Sequence, residues 1–94
     1  MPLTRGRPLG YDIERMVLKF TMLHGDETVH CQISAAALDE LAGRKRTLPT
    51  DREAQFLQLR EQIEHTASTI FGARTLLKGA PLRIFWKDIR LSSG

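Results

Sequence analysis

Apolar and polar residues alternate in two short segments near the start of the chain, which is the period of a half-buried β-strand. The segments are 15–23 and 28–33, and the residues between them include Gly25, which can adopt a positive φ. Two alternating segments joined by a short glycine-containing turn predict a β-hairpin. The positions predicted to face the core are Leu18, Phe20, Met22, Val29, Cys31 and Ile33.

Helical spacing of apolar residues follows in two later segments. Ser34 is suited to cap a helix over residues 35–42, in which the apolar positions share one face. A longer helix is predicted over residues 50–72, where Thr50 and Glu53 have the spacing of a capping box. The apolar stripes of the two helices consist of Ala37, Leu38, Leu41, Phe56, Leu59, Ile63, Ala67 and Ile70.

Alternation returns at residues 82–89, which are predicted to form the last strand. Leu82, Ile84 and Trp86 would then face the core. Because neighbours on a strand point to opposite faces, the residues between them should lie together on the other side of the sheet. These outward-facing residues are Arg83, Phe85 and Lys87.

The predicted order of elements is β-β-α-α-β. Strands with one apolar face and helices with one apolar stripe must cover each other. We therefore expect an α+β fold, with an antiparallel sheet of three or four strands and both helices on one face. Proline and glycine occupy four of the first ten positions, which predicts a flexible N-terminal tail over residues 1–10. Residues 11–90 would form a single domain, and residues 91–94 a frayed C-terminus.

Several short motifs carry a resemblance to a known family. They are Val17-x-x-Phe20, Val29-x-Cys31-x-Ile33-Ser34 followed by Ala37-Leu38, Phe56-x-x-x-Arg60-x-x-Ile63-Glu64-x-x-Ala67, and the apolar end from Ile84 to Asp88. Over residues 11–89 the chain resembles the small bacterial domain-of-unknown-function family 1488. The resemblance implies a small bacterial α+β protein and implies no activity. The loop over residues 44–49 and the basic C-terminal segment lie outside the family's pattern.

Composition narrows the class of protein further. The 94 residues are 41% hydrophobic and 27% charged, which is typical of a folded domain. No apolar run approaches the ~18 residues of a membrane-spanning helix, and the first residues lack the apolar segment of a secretory signal. The single cysteine, Cys31, can form no internal disulfide. We therefore expect a cytoplasmic location.

Residue types that often carry catalysis have simpler structural interpretations in this sequence. Cys31 lies on a strand face predicted to be buried, where a thiol is unreactive. None of His24, His30 and His65 has a partner at the spacing of a metal site. Ser34 is explained as a helix cap. We therefore predict no catalytic residue, no metal and no cofactor, and a protein that is not an enzyme unless a partner completes its site.

Charge is distributed unevenly, and this bears on the partner. The net charge is +3, and residues 74–94 carry five basic groups and one acid. We expect a non-enzymatic module that binds another macromolecule and forms a homodimer, because an outward-facing Phe85 needs cover. The alternative is a weak single-stranded nucleic-acid binder that uses the basic C-terminal strand. Arg60 is a candidate for an anion contact or for an ion pair, either with an acid on the sheet or with Glu64. The candidate interface or nucleic-acid contacts are Arg83, Phe85, Lys87, Arg44, Lys45 and Arg46.

Overall fold

A computed structural model describes residues 3–43, 47–73 and 80–92, and shows the expected α+β class. Strands and helices follow one another as β-β-β-α-α-α-β-α, with a single 3-10 turn, Pro49–Asp51, between the first two helices. The strands are β1 (Thr4–Asp12), β2 (Val17–His24), β3 (Glu27–Ser34) and β4 (Leu82–Ile84). The helices are α1 (Ala35–Ala42), α2 (Arg52–Gln58), α3 (Arg60–Ala73) and α4 (Trp86–Ser92).

The four strands form one sheet in the order β1-β2-β3-β4. Strand β2 is antiparallel to both of its neighbours, β1 and β3, whereas β4 runs parallel to β3. The expectation of a purely antiparallel sheet is therefore corrected to a mixed one. The connection from β3 to β4 is long and helical, so it can carry the chain back to the end of the sheet at which β3 begins. Strand β4 can then run parallel to β3.

The predicted hairpin is confirmed by the pairing of β2 with β3. Leu18 lies opposite Ile33, and Phe20 lies opposite Cys31, so the inward-facing positions of both strands share one face. Gly25 in the connecting turn has a φ of 62°, a left-handed conformation that glycine adopts without strain.

The predicted N-terminal tail is wrong for residues 4–10, because that segment belongs to strand β1. The pairing with β2 is irregular between Arg5 and Pro8 and again between Pro8 and Gly10. Proline and glycine suit a bulged edge strand, which needs fewer ladder hydrogen bonds than a central strand. Glycine is required at position 6 for steric reasons, because a Cβ there would overlap the carbonyl oxygen and hydroxyl of Thr21. The proline and glycine residues that predicted a flexible tail are thus features of an edge strand.

The short helix α1 has the predicted caps, whereas the predicted long helix differs. Ser34 Oγ accepts a hydrogen bond from the Ala37 N–H at 3.1 Å, and Gly43 ends the helix with a φ of 66°. The capping box at Thr50 is wrong, because Thr50 lies inside the 3-10 turn. The apolar stripe continues, but Leu59, with φ −102° and ψ 8°, divides the segment into α2 and α3.

The last predicted strand is correct only over the three residues of β4. The chain then turns into α4, because the Phe85 N–H donates a hydrogen bond to the Asp88 carboxylate at 2.8 Å and so caps a new helix. Trp86 begins that helix and remains 42% exposed, so its predicted place in the core is wrong. The predicted frayed end falls partly on α4, which extends to Ser92, and residues 93–94 lie outside the described residues.

The core lies between one face of the sheet and helices α1, α2 and α3. The rings of Phe20 and Phe56 meet at its centre, with centroids 5.0 Å apart. Among the predicted core residues, Val29, Leu41 and Leu59 are half-buried against the cluster. The buried predicted residues are Leu18, Phe20, Met22, Cys31, Ile33, Ala37, Leu38, Phe56, Ile63, Ala67, Ile70, Leu82 and Ile84.

The opposite face of the sheet is polar. Lys19 and Gln32 lie opposite each other on β2 and β3, and Arg83 of β4 lies beside Gln32. His30 is exposed on the same face. Within the described ranges, no helix combines the length and the apolar character needed to cross a bilayer.

Candidate functional site

The three residues predicted to form an outward-facing row do not share a strand face. Arg83 is exposed on β4, beside Gln32 of β3. Phe85 lies just beyond the strand, and Lys87 lies in the first turn of α4. The alternation therefore ends at Ile84, and the proposed row is corrected. Arg44, Lys45 and Arg46 lie outside the described residues.

Four of the large exposed apolar side chains instead belong to two segments at one end of the sheet. Ile13 and Met16, in the turn between β1 and β2, are 66% and 58% exposed. Phe85, at the junction of β4 and α4, is 47% exposed, and Trp86 beside it is 42% exposed. We call these four residues the end surface. Two separate segments, one turn and one junction, are brought together there by the sheet.

The strand register places the two halves of the end surface close together. Val17, which follows Met16, lies opposite Ser34, and Ile33 lies beside Ile84. Continuing the parallel register by one residue brings Phe85 next to Ser34. Neighbouring strands are ~4.8 Å apart, so the backbones of Val17 and Phe85 are separated by roughly 10 Å. Side chains of this size can form one continuous patch across that distance.

The turn between β1 and β2 is held in a defined shape. The Arg15 N–H donates a hydrogen bond to Asp12 Oδ1 at 3.2 Å, and the Ala35 N–H donates to the Met16 carbonyl at 2.9 Å. The bond from Arg15 holds the pKa of Asp12 below its usual value, and Lys19 Nζ lies 3.6 Å from the same carboxylate. Met16 has a φ of 56°, which is unusual for a residue with a side chain. The exposed Met16 side chain is thus presented by a strained backbone.

Charges of opposite sign flank the two halves of the end surface. Glu14 lies in the turn beside Ile13, whereas Arg83 and Lys87 lie on either side of Phe85. All three side chains belong to exposed residues. Of the ion pairs in the described part of the chain, none involves Glu14, Arg83 or Lys87.

Arg60, the candidate anion contact, has several partners within the fold. Its Nε lies 3.1 Å from Glu64, and its Nη2 donates a hydrogen bond to the Gly6 carbonyl at 2.9 Å. Arg5 of β1 approaches the same Glu64 carboxylate at 2.8 Å. The cluster ties the irregular edge strand β1 to α3. A groove of about 410 Å³ beside it is also lined by Glu61. This geometry supports the ion-pair interpretation of Arg60, and the anion contact stays a prediction.

A second polar network, which sequence reasoning missed, joins α1 to α2. Arg52 is 5% exposed, and its Nη1 lies 2.7 Å from Asp39 and 2.9 Å from Gln55 Oε1. Its guanidinium lies 5.7 Å from the centre of the Tyr11 ring, and its Nε has no hydrogen-bond partner. Burial alone would raise the pKa of Asp39, but hydrogen bonds from Arg52, Gln55 and Thr47 outweigh it and lower the pKa.

The weak signal for this network was an arginine at a helical position that faces inward. Arg52 lies four residues before Phe56, a spacing that places the two side chains on the same side of a helix. The network is closed on itself, with its charges paired and its surroundings packed. It connects helices to the sheet and exposes little to a ligand.

Cys31 and the histidines have structural surroundings. Cys31 is 1% exposed, and burial raises its pKa to about 12. The ring of His24 packs against Phe71 with centroids 4.9 Å apart, and His65 is exposed on α3. Within the described residues, no group of three potential ligands among His, Cys, Asp and Glu is placed to hold a metal ion.

Comparison with known proteins supports the fold and the family. A family model described as "Protein of unknown function (DUF1488)" matches residues 6–76. The chain is also similar to the crystal structure of a protein of unknown function from the DUF1488 family of Shewanella loihica PV-4. The TM-score is 0.69 at 18% identity, and the match covers 86% of this chain and 92% of that one. At this identity the likeness concerns the fold. No curated protein matches the sequence.

Proposed function

The chain belongs to DUF1488, a family of unknown function, and we propose from its surface that it is a non-enzymatic interaction module that acts as a homodimer through the end surface. The single observation that carries the proposal is the exposure of Phe85 beside Ile13 and Met16. Isolated apolar residues on a surface are ordinary, but several from different segments at one place are typical of a contact with another macromolecule.

The edges of the sheet are poor alternatives for association. At one edge, β1 carries Pro8 and two irregularities of register, which interrupt its row of backbone donors and acceptors. At the other edge, β4 is only three residues long. A second chain would therefore find few regular backbone partners at either described edge. This favours association through side chains at the end surface.

Nucleic-acid binding has less support from the geometry. Its motivation was a strand face that presented Phe85 between Arg83 and Lys87, and the three residues do not form such a face. The outward-facing residues of the described sheet include Lys19, Gln32, His30 and Arg83, with no phenylalanine, tyrosine or tryptophan on which a base could stack. We retain the homodimer and propose a cytoplasmic location, which the absence of an internal disulfide in a chain with one cysteine supports.

The test compares two glutamate substitutions at equally exposed apolar residues. Phe85 is 47% exposed at the end surface, and Leu57 is 49% exposed beside the groove near Arg5. Arg5 lies opposite Met22, far along β2 from Val17. Sedimentation equilibrium at tens of micromolar should show a dimer for the wild type and for Leu57→Glu. Phe85→Glu should be a folded monomer, because an unpaired charge at the contact is costly.

Two results would overturn the proposal. A monomeric wild type at this concentration would remove the homodimer, and a Phe85→Glu protein that dimerises as well as Leu57→Glu would remove the end surface. A mobility shift with single-stranded RNA or DNA that weakens steeply with salt would instead establish the nucleic-acid role.

A further inference from the structure

We infer that the end surface is self-complementary, so that the turn between β1 and β2 of one protomer lies against the β4–α4 junction of its partner, with Glu14 facing the partner's Lys87. The inference rests on the proposed homodimer and specifies its arrangement. It starts from the separation of charge within one apolar patch. Glu14 lies on the side of the β1–β2 turn, and Arg83 and Lys87 lie on the side of the β4–α4 junction.

Asp12, Arg15 and Lys19 are the other charged residues near the turn, and they form ion pairs with one another. Asp12 lies 3.6 Å from Lys19 and 4.0 Å from Arg15. Glu14 is exposed and takes part in none of the ion pairs formed by the described residues. On the other side, Lys87 is exposed on α4 and likewise takes part in none of them. Each half of the surface therefore presents a charge that the fold itself does not neutralise.

A two-fold axis through the middle of the end surface satisfies both charges at once. In an isologous contact the same patch is used by both protomers, and each half meets the other half of the partner. Rotation about an axis near Ser34, which lies between Val17 and the β4–α4 junction, exchanges the two sides. Ile13 and Met16 then meet the partner's Phe85, while Glu14 meets the partner's Lys87. The contact contains each pair twice.

This charge pattern favours a second copy over other occupants. A polyanion or an anionic membrane would be attracted to Lys87 and Arg83 but repelled by Glu14 on the same surface. A second copy reverses the order of charges and so places each Glu14 against the partner's Lys87. Complementary potentials of this kind select the partner and its orientation.

The test reverses one charge at a time and then mixes the two variants. Glu14→Lys places two lysines together at both copies of the contact, and Lys87→Glu places two glutamates there. Each variant should dimerise roughly tenfold more weakly than the wild type at low ionic strength, because two like-charge contacts replace two attractive ones. An equimolar mixture should regain wild-type association, since the mixed dimer again pairs a lysine with a glutamate at both contacts.

The control variant makes the same change away from the end surface. Glu27→Lys lies at the opposite end of β3, opposite His24, and should leave the dimer unchanged. Circular dichroism confirms that each variant is folded. The chain carrying both Glu14→Lys and Lys87→Glu provides a second measurement, because it should dimerise with itself like the wild type.

The remaining outcomes distinguish this arrangement of the protomers from the proposed homodimer on which it rests. If the wild type dimerises through Phe85 but neither reversal weakens it, the arrangement is wrong and the homodimer stands. If both reversals weaken it and neither the mixture nor the double variant recovers, Glu14 and Lys87 do not face each other. A monomeric wild type overturns both statements. Binding to vesicles of anionic lipid by the wild type, with no dimer in solution, would assign the surface to a membrane.

Discussion

Two apolar regions of the molecule differ in what covers them. On the helix-covered face, Phe20 and Phe56 are 1% exposed and lie with their ring centroids 5.0 Å apart. At the end surface, Phe85 is 47% exposed, although it lies one residue beyond the buried Ile84. The first region holds helices to the sheet, and the second lies where the strands end. The residues that stabilise the fold are therefore separate from those of the proposed dimer contact, so stability and the proposed association can be altered separately.

The most sensitive test of the covered region is the reactivity of Cys31. Its thiol is 1% exposed, and burial raises its pKa to about 12, so labelling requires the domain to open. With a stability of at least ~5 kcal/mol, labelling in the folded state should be slower than in urea by more than ~10³-fold. Timed reaction with a thiol reagent measures this.

A matched cysteine calibrates that measurement. Leu48 is 62% exposed, so Leu48→Cys in a Cys31→Ala background should react rapidly without denaturant. If Cys31 in the wild type reacted as fast as this control, the covered region would be open on the time scale of the experiment.

Removing an aromatic ring should destabilise the covered region much more than the end surface. Phe56→Ala should cost about 3–5 kcal/mol of unfolding free energy, because it leaves a cavity in contact with Phe20. Phe85→Ala should cost less than about 1 kcal/mol, since a half-exposed ring leaves no closed cavity. Urea unfolding of both variants in dilute solution makes the comparison. A loss below about 1 kcal/mol for Phe56→Ala would remove that residue from the core.

The buried network should contribute less than the core ring and should depend on pH. Asp39→Ala leaves Arg52 buried without its anionic partner, and should cost roughly 2–3 kcal/mol because Asp39 is itself partly exposed. The pKa of Asp39 is lower in the folded protein, so the unfolded state binds its proton first. The contribution of its charge is therefore complete above the unfolded pKa of ~3.9 and is lost as pH falls through the folded pKa.

The pH series has its own control. Asp39→Asn keeps the size of the side chain but cannot ionise, so its deficit in stability relative to the wild type should shrink as the pH is lowered below ~4. A deficit that stays constant from pH 7 to strongly acidic conditions would show that the charge of Asp39 does not stabilise the fold.

The parts of the fold that could be predicted are those in which local pattern and tertiary contact agree. The Phe20–Cys31 register and the Ser34 cap follow from alternation and from one hydroxyl, and both are confirmed. Strand β1 could not be predicted, because proline and glycine describe an edge strand as well as a tail. Tertiary contacts distinguish the two, among them the hydrogen bond from Arg60 to the Gly6 carbonyl and the ion pair between Arg5 and Glu64.

The sequence identified a residue of the candidate site but not the position of that residue in the fold. Phe85 was identified as an aromatic residue in need of cover, and the structure shows it exposed. The predicted place of Phe85 on a strand was wrong, because the Phe85 N–H donates a hydrogen bond to the Asp88 carboxylate. This bond caps a helix where the alternating pattern predicted a continued strand. Ile13 and Met16 could not be assigned to the same surface, because only the sheet register brings their turn next to Phe85.

The smallest expected effect is also the one that divides the regions most clearly, because one substitution should change stability and association in opposite directions. Met16 has a φ of 56° and a 58% exposed side chain. A left-handed backbone costs a residue with a Cβ about 1–2 kcal/mol, whereas glycine loses about 0.5–1 kcal/mol more chain entropy on folding. Met16→Gly should therefore stabilise the monomer by roughly 0.5 kcal/mol. It should weaken dimerisation severalfold, since the side chain leaves the contact.

Met16→Ala removes the same side chain but keeps the strain, so it should weaken dimerisation without the gain in stability. Unfolding is measured in the Phe85→Glu background, where association does not contribute, and dimerisation by sedimentation in the wild-type background. Equal stability of the glycine and alanine variants would show that the turn is unstrained, and unchanged dimerisation of both would place Met16 outside the interface.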